Sequence, residues 1–292
     1  MKRILITGKG SYLGTSLAAF LSQKPERYQV DSVSLRGSDW QALSFAGYDA
    51  VYHTAAIVHQ PESKDSPQEL ERYRRINCDL AVQAAKKAKA EGVSQFLFLS
   101  TMAVYGLTAA FGERVTITAQ TPTNPKDNYG KSKLEAEQAL LALEDDRFRV
   151  VILRPPMIYG KGCPGNFRSL VSIAGRLPCF PSVPGRRSML YVGNLNRLVQ
   201  LLVEDGARGI YCPQDRDYVN TSEMIQAIAQ AQGKRLALIP GFSWVFHPLH
   251  RLTKAVDKAF GSLCYDQALS TYKEDYQIFA YPDTVRLSIQ ES

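Results

Sequence analysis

The segment N-Y-G-K-S-K sets Tyr129 and Lys133 four residues apart at the start of a helical pattern, which puts both side chains on one helix face. A phenol with its ordinary pKa near 10 is a poor base at neutral pH. An adjacent ammonium favours the phenolate, and lowering the pKa by roughly three units takes about 4 kcal/mol. Upstream, F-L-F-L-S-T-M-A-V-Y-G closes an apolar strand pattern and leaves Ser100 and Thr101 at its carboxyl end. A hydroxyl, a tyrosine and a lysine held together form a proton-handling set for interconverting an alcohol and a ketone.

A second feature is ITGKGSYLG near the N-terminus. A strand, a tight turn and a helix in that order present backbone N–H groups to a diphosphate at the helix N-terminus. Gly8 and Gly14 keep the outer spacing of a glycine-rich dinucleotide loop, while Leu13 and Ser11 stand where its two common forms have glycine. Gly10 retains backbone freedom. The Ser11 hydroxyl is expected to donate to a phosphate oxygen. Gly8, Gly10, Ser11, Tyr12, Leu13 and Gly14 together make a candidate dinucleotide cradle.

The elements that must position these groups alternate. RILIT, QVDSVSL, DAVYHT, QFLFLS and RVVILR read as strands; SYLGTSLAAFLSQ, LERYRRINCDLAVQAAKKAKAEG and NYGKSKLEAEQALLALE read as helices. This order predicts an α/β fold, a doubly wound parallel sheet of the Rossmann kind, with ligands beyond the carboxyl ends of its strands. After Arg154 the chain is dense in Pro and Gly around a helix expected from Asn166 to Ala174. LNRLVQLLVED and TSEMIQAIAQAQG are further helices, the second with Thr221 or Ser222 as its N-cap. Residues 1–154 are expected to bind the dinucleotide, with 188–220 returning to that region. Residues 155–187 and 221–292 are expected to form a smaller C-terminal substrate-binding region.

At 292 residues and 45% hydrophobic, the chain is long enough to bury a full core. Lys and Arg exceed Asp and Glu by 35 to 28, without a basic stripe interleaved with aromatics. That balance suits an anionic small substrate and argues against nucleic acid as a partner. The five cysteines (Cys78, Cys163, Cys179, Cys212, Cys264) form no C-x-x-C pair, so neither a disulfide framework nor a zinc site is expected. His53, His59, His247 and His250 have no metal-ligand spacing. With no run of 18 apolar residues and no charged leader ahead of an apolar stretch, a cytoplasmic protein without a transmembrane segment is expected.

ITGKGSYLG, DAVYHTAA, FLSTMAVYG, YGKSKLEAE, ILRPPMIYGKGCPGN and RRSMLYVGNL follow in that order. They resemble the extended short-chain dehydrogenase/reductases of the NAD-dependent epimerase/dehydratase family, which act mainly on nucleotide sugars. The resemblance implies that Tyr129 is the acid/base and that Lys133 binds the nicotinamide ribose. It sets Thr101 at the family's active-site serine, with Ser100 as the alternative, and Ala55 and Ala56 in a turn lining the dinucleotide. It also brings Arg187 and Asn166 near the diphosphate of the substrate, where a planar guanidinium suits bidentate contact.

Three departures bear on the reaction. Ser11 and Thr101 replace a glycine and a serine, and the second strand ends V-S-L-R-G. NAD-binding relatives carry an acid there to bond the ribose 2′-OH. Arg36 in its place favours NADP(H) as cofactor, with NAD(H) the alternative, and Asp39 then falls near the adenine. Met102 and Ala103 occupy the positions of the carboxylate pair that dehydratases use, which sets dehydration aside. The resemblance then leaves two reactions. One is NADPH-dependent reduction of a 4-keto sugar nucleotide, towards which Arg36 leans; the other is 4-epimerisation with a tightly bound NAD. A different class, a non-catalytic dinucleotide-sensing regulator, is opposed by the joint presence of Tyr129, Lys133 and Thr101.

Near the C-terminus, FSWVFHPLHRLTKAVDKAFG spaces Leu249, Leu252, Val256 and Phe260 apart from Arg251, Lys254 and Lys258. This basic amphipathic helix is expected to pack its apolar face on the substrate region, with contact to anionic lipid as the alternative. The resemblance also implies a homodimer built through the long helices containing residues 70–91 and 129–143.

Overall fold

Short aliphatic runs, each closed by a small or polar residue, form the strands on which the site is built. β1 (Lys2–Thr7) leads through Gly8 into α1 (Tyr12–Leu21), and β2 (Tyr28–Val33) and β3 (Ala50–His53) follow. Next come α2 (Pro67–Tyr73), α3 (Leu80–Ala90), β4 (Gln95–Leu99), α4 (Asn128–Leu141), β5 (Arg149–Leu153) and β6 (Gly209–Tyr211). The structure is a computed structural model that describes residues 1–58, 66–241, 257 and 260–289. The chain divides into two units. The first comprises Met1–Gly106, Pro122–Pro155 and Asn196–Cys212, and the second Leu107–Thr121, Pro156–Leu195 and Pro213–Ser292.

In the first unit all six strands run parallel in the spatial order β6-β5-β4-β3-β1-β2. Ile4 pairs with Val30 on one side and Ala50 on the other, and Ala50, Gln95 and Arg149 continue the register across the sheet. Strand order reverses between β1 and β3, and a doubly wound sheet takes its ligand at the carboxyl ends beside such a reversal. On one face Leu5, Val51, Phe96, Phe98, Val150 and Ile152 meet Ala81, Ala84, Ala85 and Ala88 of α3. Alanines at i, i+3, i+4 and i+7 form one narrow stripe, so this polar helix lies close against aromatic strand residues.

LERYRRINCDLAVQAAKKAKAEG, expected as one regular helix, is interrupted. Arg74–Asp79, between α2 and α3, is wound as a π-helix. The fully buried Asn77 explains the departure from regular spacing: its Oδ1 accepts from the Ile57 N–H at 2.9 Å and its Nδ2 donates to the Ile57 carbonyl at 3.0 Å. A widened turn aligns this side chain with the loop after β3.

Among its described residues the second unit carries three parallel two-stranded ladders. Met157–Tyr159 pairs with Met189–Tyr191, Arg114–Ile117 with Ser262–Tyr265, and Cys179–Pro181 with Ala237–Ile239. The helix Thr221–Ala231 is capped by Asn220 rather than by Thr221 or Ser222, because the Asn220 side chain accepts from the N–H groups of Ser222 and Glu223. Among the described residues no helix is long and apolar enough to cross a membrane. Most of the amphipathic stretch (Leu249, Arg251, Leu252, Lys254, Val256, Lys258) lies outside the described residues, as do His59, His247 and His250.

Candidate active site

The loops after β1, β2 and β3 enclose a cleft of about 590 Å³ in the first unit, lined by Gly8, Gly10, Ser11, Arg36, Ala55 and Ala56 among others. Gly8 (φ +119°) and Gly10 (φ +80°) hold backbone conformations that side chains rarely adopt. A Cβ on Gly8 would fall 2.7 Å from Thr54 Oγ1 and 2.8 Å from the Ala55 nitrogen. One on Gly14 would meet Ser11 Oγ at 2.7 Å and Ile6 Cγ2 at 2.8 Å. The cradle is thus built of bare backbone against the turn after β3, which suits a dinucleotide diphosphate at the N-terminus of α1.

The Ser11 hydroxyl is not free for a phosphate, contrary to the expectation from sequence. The Gly14 N–H donates to it at 3.1 Å, and it lies 2.7 Å from Thr54 Oγ1, whose own hydrogen goes to the Thr7 carbonyl at 3.2 Å. A hydroxyl carries one hydrogen, so Ser11 donates to Thr54 and serves as the cap of α1. Tyr12, Leu13 and Gly14 form the first turn of α1 and are not part of the cleft wall. Asp39 is exposed at the start of a 3₁₀ turn and does not line the cleft either. Two cations not read from the sequence do line it: Lys9 within the glycine loop, and Arg75 from the π-helical segment.

Thr101 and Ser100 follow β4, and α4 brings Tyr129 and Lys133 to the same sheet edge. Asp127 caps α4 by accepting from the Gly130 N–H at 2.7 Å. Gly130 lets the helix approach the loop after β4, since a Cβ there would lie 2.8 Å from the Ala103 carbonyl. The Thr101 hydroxyl hydrogen-bonds the half-buried Tyr129 phenol and accepts from the Ala103 N–H at 3.2 Å. Ser100 is turned elsewhere. Buried, it donates to Glu137, which Arg154 clamps through Nε, 3.1 Å from each oxygen, and Nη2 at 2.5 Å. Of the two candidate hydroxyls, Thr101 is the one beside the phenol.

Lys133 is 2% exposed, donates to the Leu99 carbonyl at 2.8 Å and lies 4.5 Å from the Phe98 ring centroid. Burial brings its pKa down to about 7, with Glu137 opposing. Burial also pushes Tyr129 up to about 12, with the Thr101 hydrogen bond opposing. The fold therefore does not produce the lysine-stabilised phenolate expected from the spacing. A desolvated amine bonded to a strand carbonyl, itself close to losing its charge, leaves its neighbour protonated. His53 closes β3 with Nδ1 2.9 Å from Thr7 Oγ1, and burial and then the Lys133 charge hold it at about 3, so it is neutral.

One network joins the cleft to this group. Besides its bonds to Ile57, Asn77 donates to Ser132 Oγ at 3.1 Å, and Ser132 donates to the Tyr129 carbonyl at 2.8 Å. Ile57 lines the cleft, so its wall and the first turn of α4 share one buried amide. Asn166 and Arg187 belong to the second unit. Asn166 is exposed at the start of the helix Asn166–Arg176. Arg187 is half-buried, with its main chain bridged to Val219 by two 2.9 Å hydrogen bonds.

The model of the NAD dependent epimerase/dehydratase family matches residues 4–231. A UDP-glucose 4-epimerase of Vibrio cholerae is 31% identical over 291 residues, spanning 91% of this chain and 87% of that protein. Among solved structures, a UDP-glucuronic acid 4-epimerase from Bacillus cereus in complex with NAD aligns with a TM-score of 0.71 at 16% identity, covering 98% and 96% of the two chains. A dTDP-4-dehydrorhamnose reductase from Bacillus anthracis in complex with NADP aligns with a TM-score of 0.66 at 21% identity, covering 85% and 86%. At these identities the likeness to solved structures is one of fold, and that fold carries both an epimerase and a reductase.

Proposed function

The chain belongs to the NAD-dependent epimerase/dehydratase family and is an NAD(P)-binding enzyme of the extended short-chain dehydrogenase type, and we propose that it uses NADPH to reduce the 4-keto group of a sugar nucleotide. The observation that carries this reading is the end of β2, where Arg36 lines the cleft and, among the described residues, no carboxylate does. A guanidinium there matches a 2′-phosphate, whereas a bare ribose 2′-OH calls for an acceptor.

When bound, NADPH supplies the hydride. The protein's own groups bind, orient and move the proton. Gly8 and Gly10 leave the α1 N-terminus open to the diphosphate, and Ala55 and Ala56 line the same cleft. Tyr129 donates its proton to the sugar O4 as charge develops there, and the Thr101 hydroxyl holds the phenol in place. Lys133 orients the nicotinamide ribose. Burial keeps the phenol protonated at neutral pH, the state that can give a proton to O4. Arg187 and Asn166 are assigned to the diphosphate of the sugar nucleotide.

A second reading, 4-epimerisation with retained NAD, is favoured by the 31% identity to the Vibrio enzyme. Denaturing the purified protein and identifying any dinucleotide released separates the two. An empty protein that binds NADPH at least tenfold more tightly than NADH supports reduction. Stoichiometric, oxidised NAD supports epimerisation, and turnover that survives Tyr129→Phe intact removes the catalytic assignment under either.

A further inference from the structure

α2 and the π-helical segment carry three arginines in R-Y-R-R, and the fold treats them differently. Arg72 lies 3.5 Å from Glu69, and Arg74 grips Glu135 through Nε and Nη2, both at 2.7 Å. Arg75 is exposed, has no ion pair among the described residues, and lines the dinucleotide cleft together with Arg36. The backbone that carries it is tied down. Two residues on, the buried Asn77 is bonded to both the N–H and the carbonyl of Ile57, and Ile76 between them also lines the cleft.

The charge at this cleft exceeds what a diphosphate needs. Backbone donors of the glycine loop and the α1 N-terminus already serve a diphosphate. Lys9, Arg36 and Arg75 then add three cations from three separate segments, and among the described residues the lining holds no carboxylate. Two guanidinium forks suit a phosphate monoester, which presents three terminal oxygens and close to two negative charges.

We propose that Arg75 is a specificity-determining residue that, with Arg36, clasps the 2′-phosphate of NADP(H). The assignment rests on the NADPH reading above. The same chemistry could reach the diphosphate of either dinucleotide, so the test compares ligands with and without the 2′-phosphate.

Affinities for NADPH, NADH and 2′,5′-ADP are measured for the wild-type protein and for Arg75→Gln, Arg75→Lys and Arg36→Gln. Arg75→Gln is expected to weaken NADPH and 2′,5′-ADP at least tenfold and NADH less than twofold, with an unchanged melting temperature because the side chain is exposed. Arg75→Lys, which keeps the charge but not the fork, is expected to recover part of the loss. Equal weakening of NADPH and NADH would move Arg75 to the diphosphate and overturn the proposal. A wild-type preference for NADPH that Arg75→Gln leaves intact would overturn it while sparing the cofactor reading. A wild-type protein that binds NADH as tightly as NADPH would overturn that reading, and the proposal with it.

Discussion

Replacing Lys133 with methionine should stabilise the protein while abolishing its activity, and the gain should depend on pH in a defined way. The amine titrates at about 7 in the folded chain against 10.5 when unfolded. Between those values the unfolded chain binds more protons, so this group makes stability rise with pH from 7 to 10.5 and leaves it flat below 7. The shift of about 3.5 units, at about 1.36 kcal/mol each, caps the penalty at roughly 5 kcal/mol, of which roughly 4 remains at pH 7, where the group is half-titrated. Methionine has a similar volume but loses the bond to the Leu99 carbonyl, worth about 1 kcal/mol. The variant should therefore lead by roughly 3 kcal/mol at pH 7 and lose that lead at about 1.4 kcal/mol per pH unit on the way to pH 10. Guanidinium chloride unfolding of cofactor-free protein at pH 7, 8, 9 and 10 reads this directly. Because the other groups titrate in both proteins, the difference between the two curves isolates Lys133. A gap that stays constant with pH would mean a solvated lysine of ordinary pKa and would refute the reasoning.

Thr101→Ala should cut turnover by about 10- to 100-fold with little change in dinucleotide affinity, whereas Ser100→Ala should keep turnover within about threefold but cost roughly 1–3 kcal/mol, because the buried Glu137 loses a donor. Steady-state kinetics and melting curves on both variants check the division. Gly8→Ala, whose Cβ would press on Thr54 and Ala55, should lose at least about tenfold in dinucleotide affinity and 1–3 kcal/mol or more in stability. Gly10→Ala, with nothing within 4 Å of its Cβ, should show the backbone strain alone. His53, held at about 3 against an ordinary 6.5, contributes stability present above pH 6.5 and lost as pH falls towards 3, up to roughly 5 kcal/mol. Urea unfolding should thus show wild type falling behind His53→Phe over that window; parallel curves would contradict the burial of a neutral histidine.

The doubly wound sheet was legible because its central strands β4 and β5 are buried on both faces and read as unbroken apolar runs, with helical periods between the strands. The pairing of Tyr129 with a hydroxyl was legible because i, i+4 spacing and strand ends are local properties. What remained hidden depends on contacts distant in sequence. Arg75 lines the cleft from a π-helical segment whose Asn77 is bonded to the loop after β3. The spare-looking hydroxyl of Ser11 is consumed by Thr54, 43 residues away. Desolvation, which decides the charge of Lys133, is set by the packing of α4 over β4, and residue spacing alone suggested the opposite effect on Tyr129. Asn220 displaced Thr221 and Ser222 as a cap by one and two positions, the usual scale of uncertainty for a helix start.

The most direct test of the central claim follows the hydride. The protein is incubated with NADPH dideuterated at the nicotinamide C4 and a UDP- or dTDP-linked 4-keto-6-deoxyhexose, and the sugar is examined by mass spectrometry and NMR. One deuterium at sugar C4 for each NADP formed, lost with Tyr129→Phe, is the expected result. Interconversion of UDP-linked 4-hydroxy sugars with no deuterium incorporated and no NADPH consumed would contradict it, and would make the enzyme an epimerase that returns its own hydride.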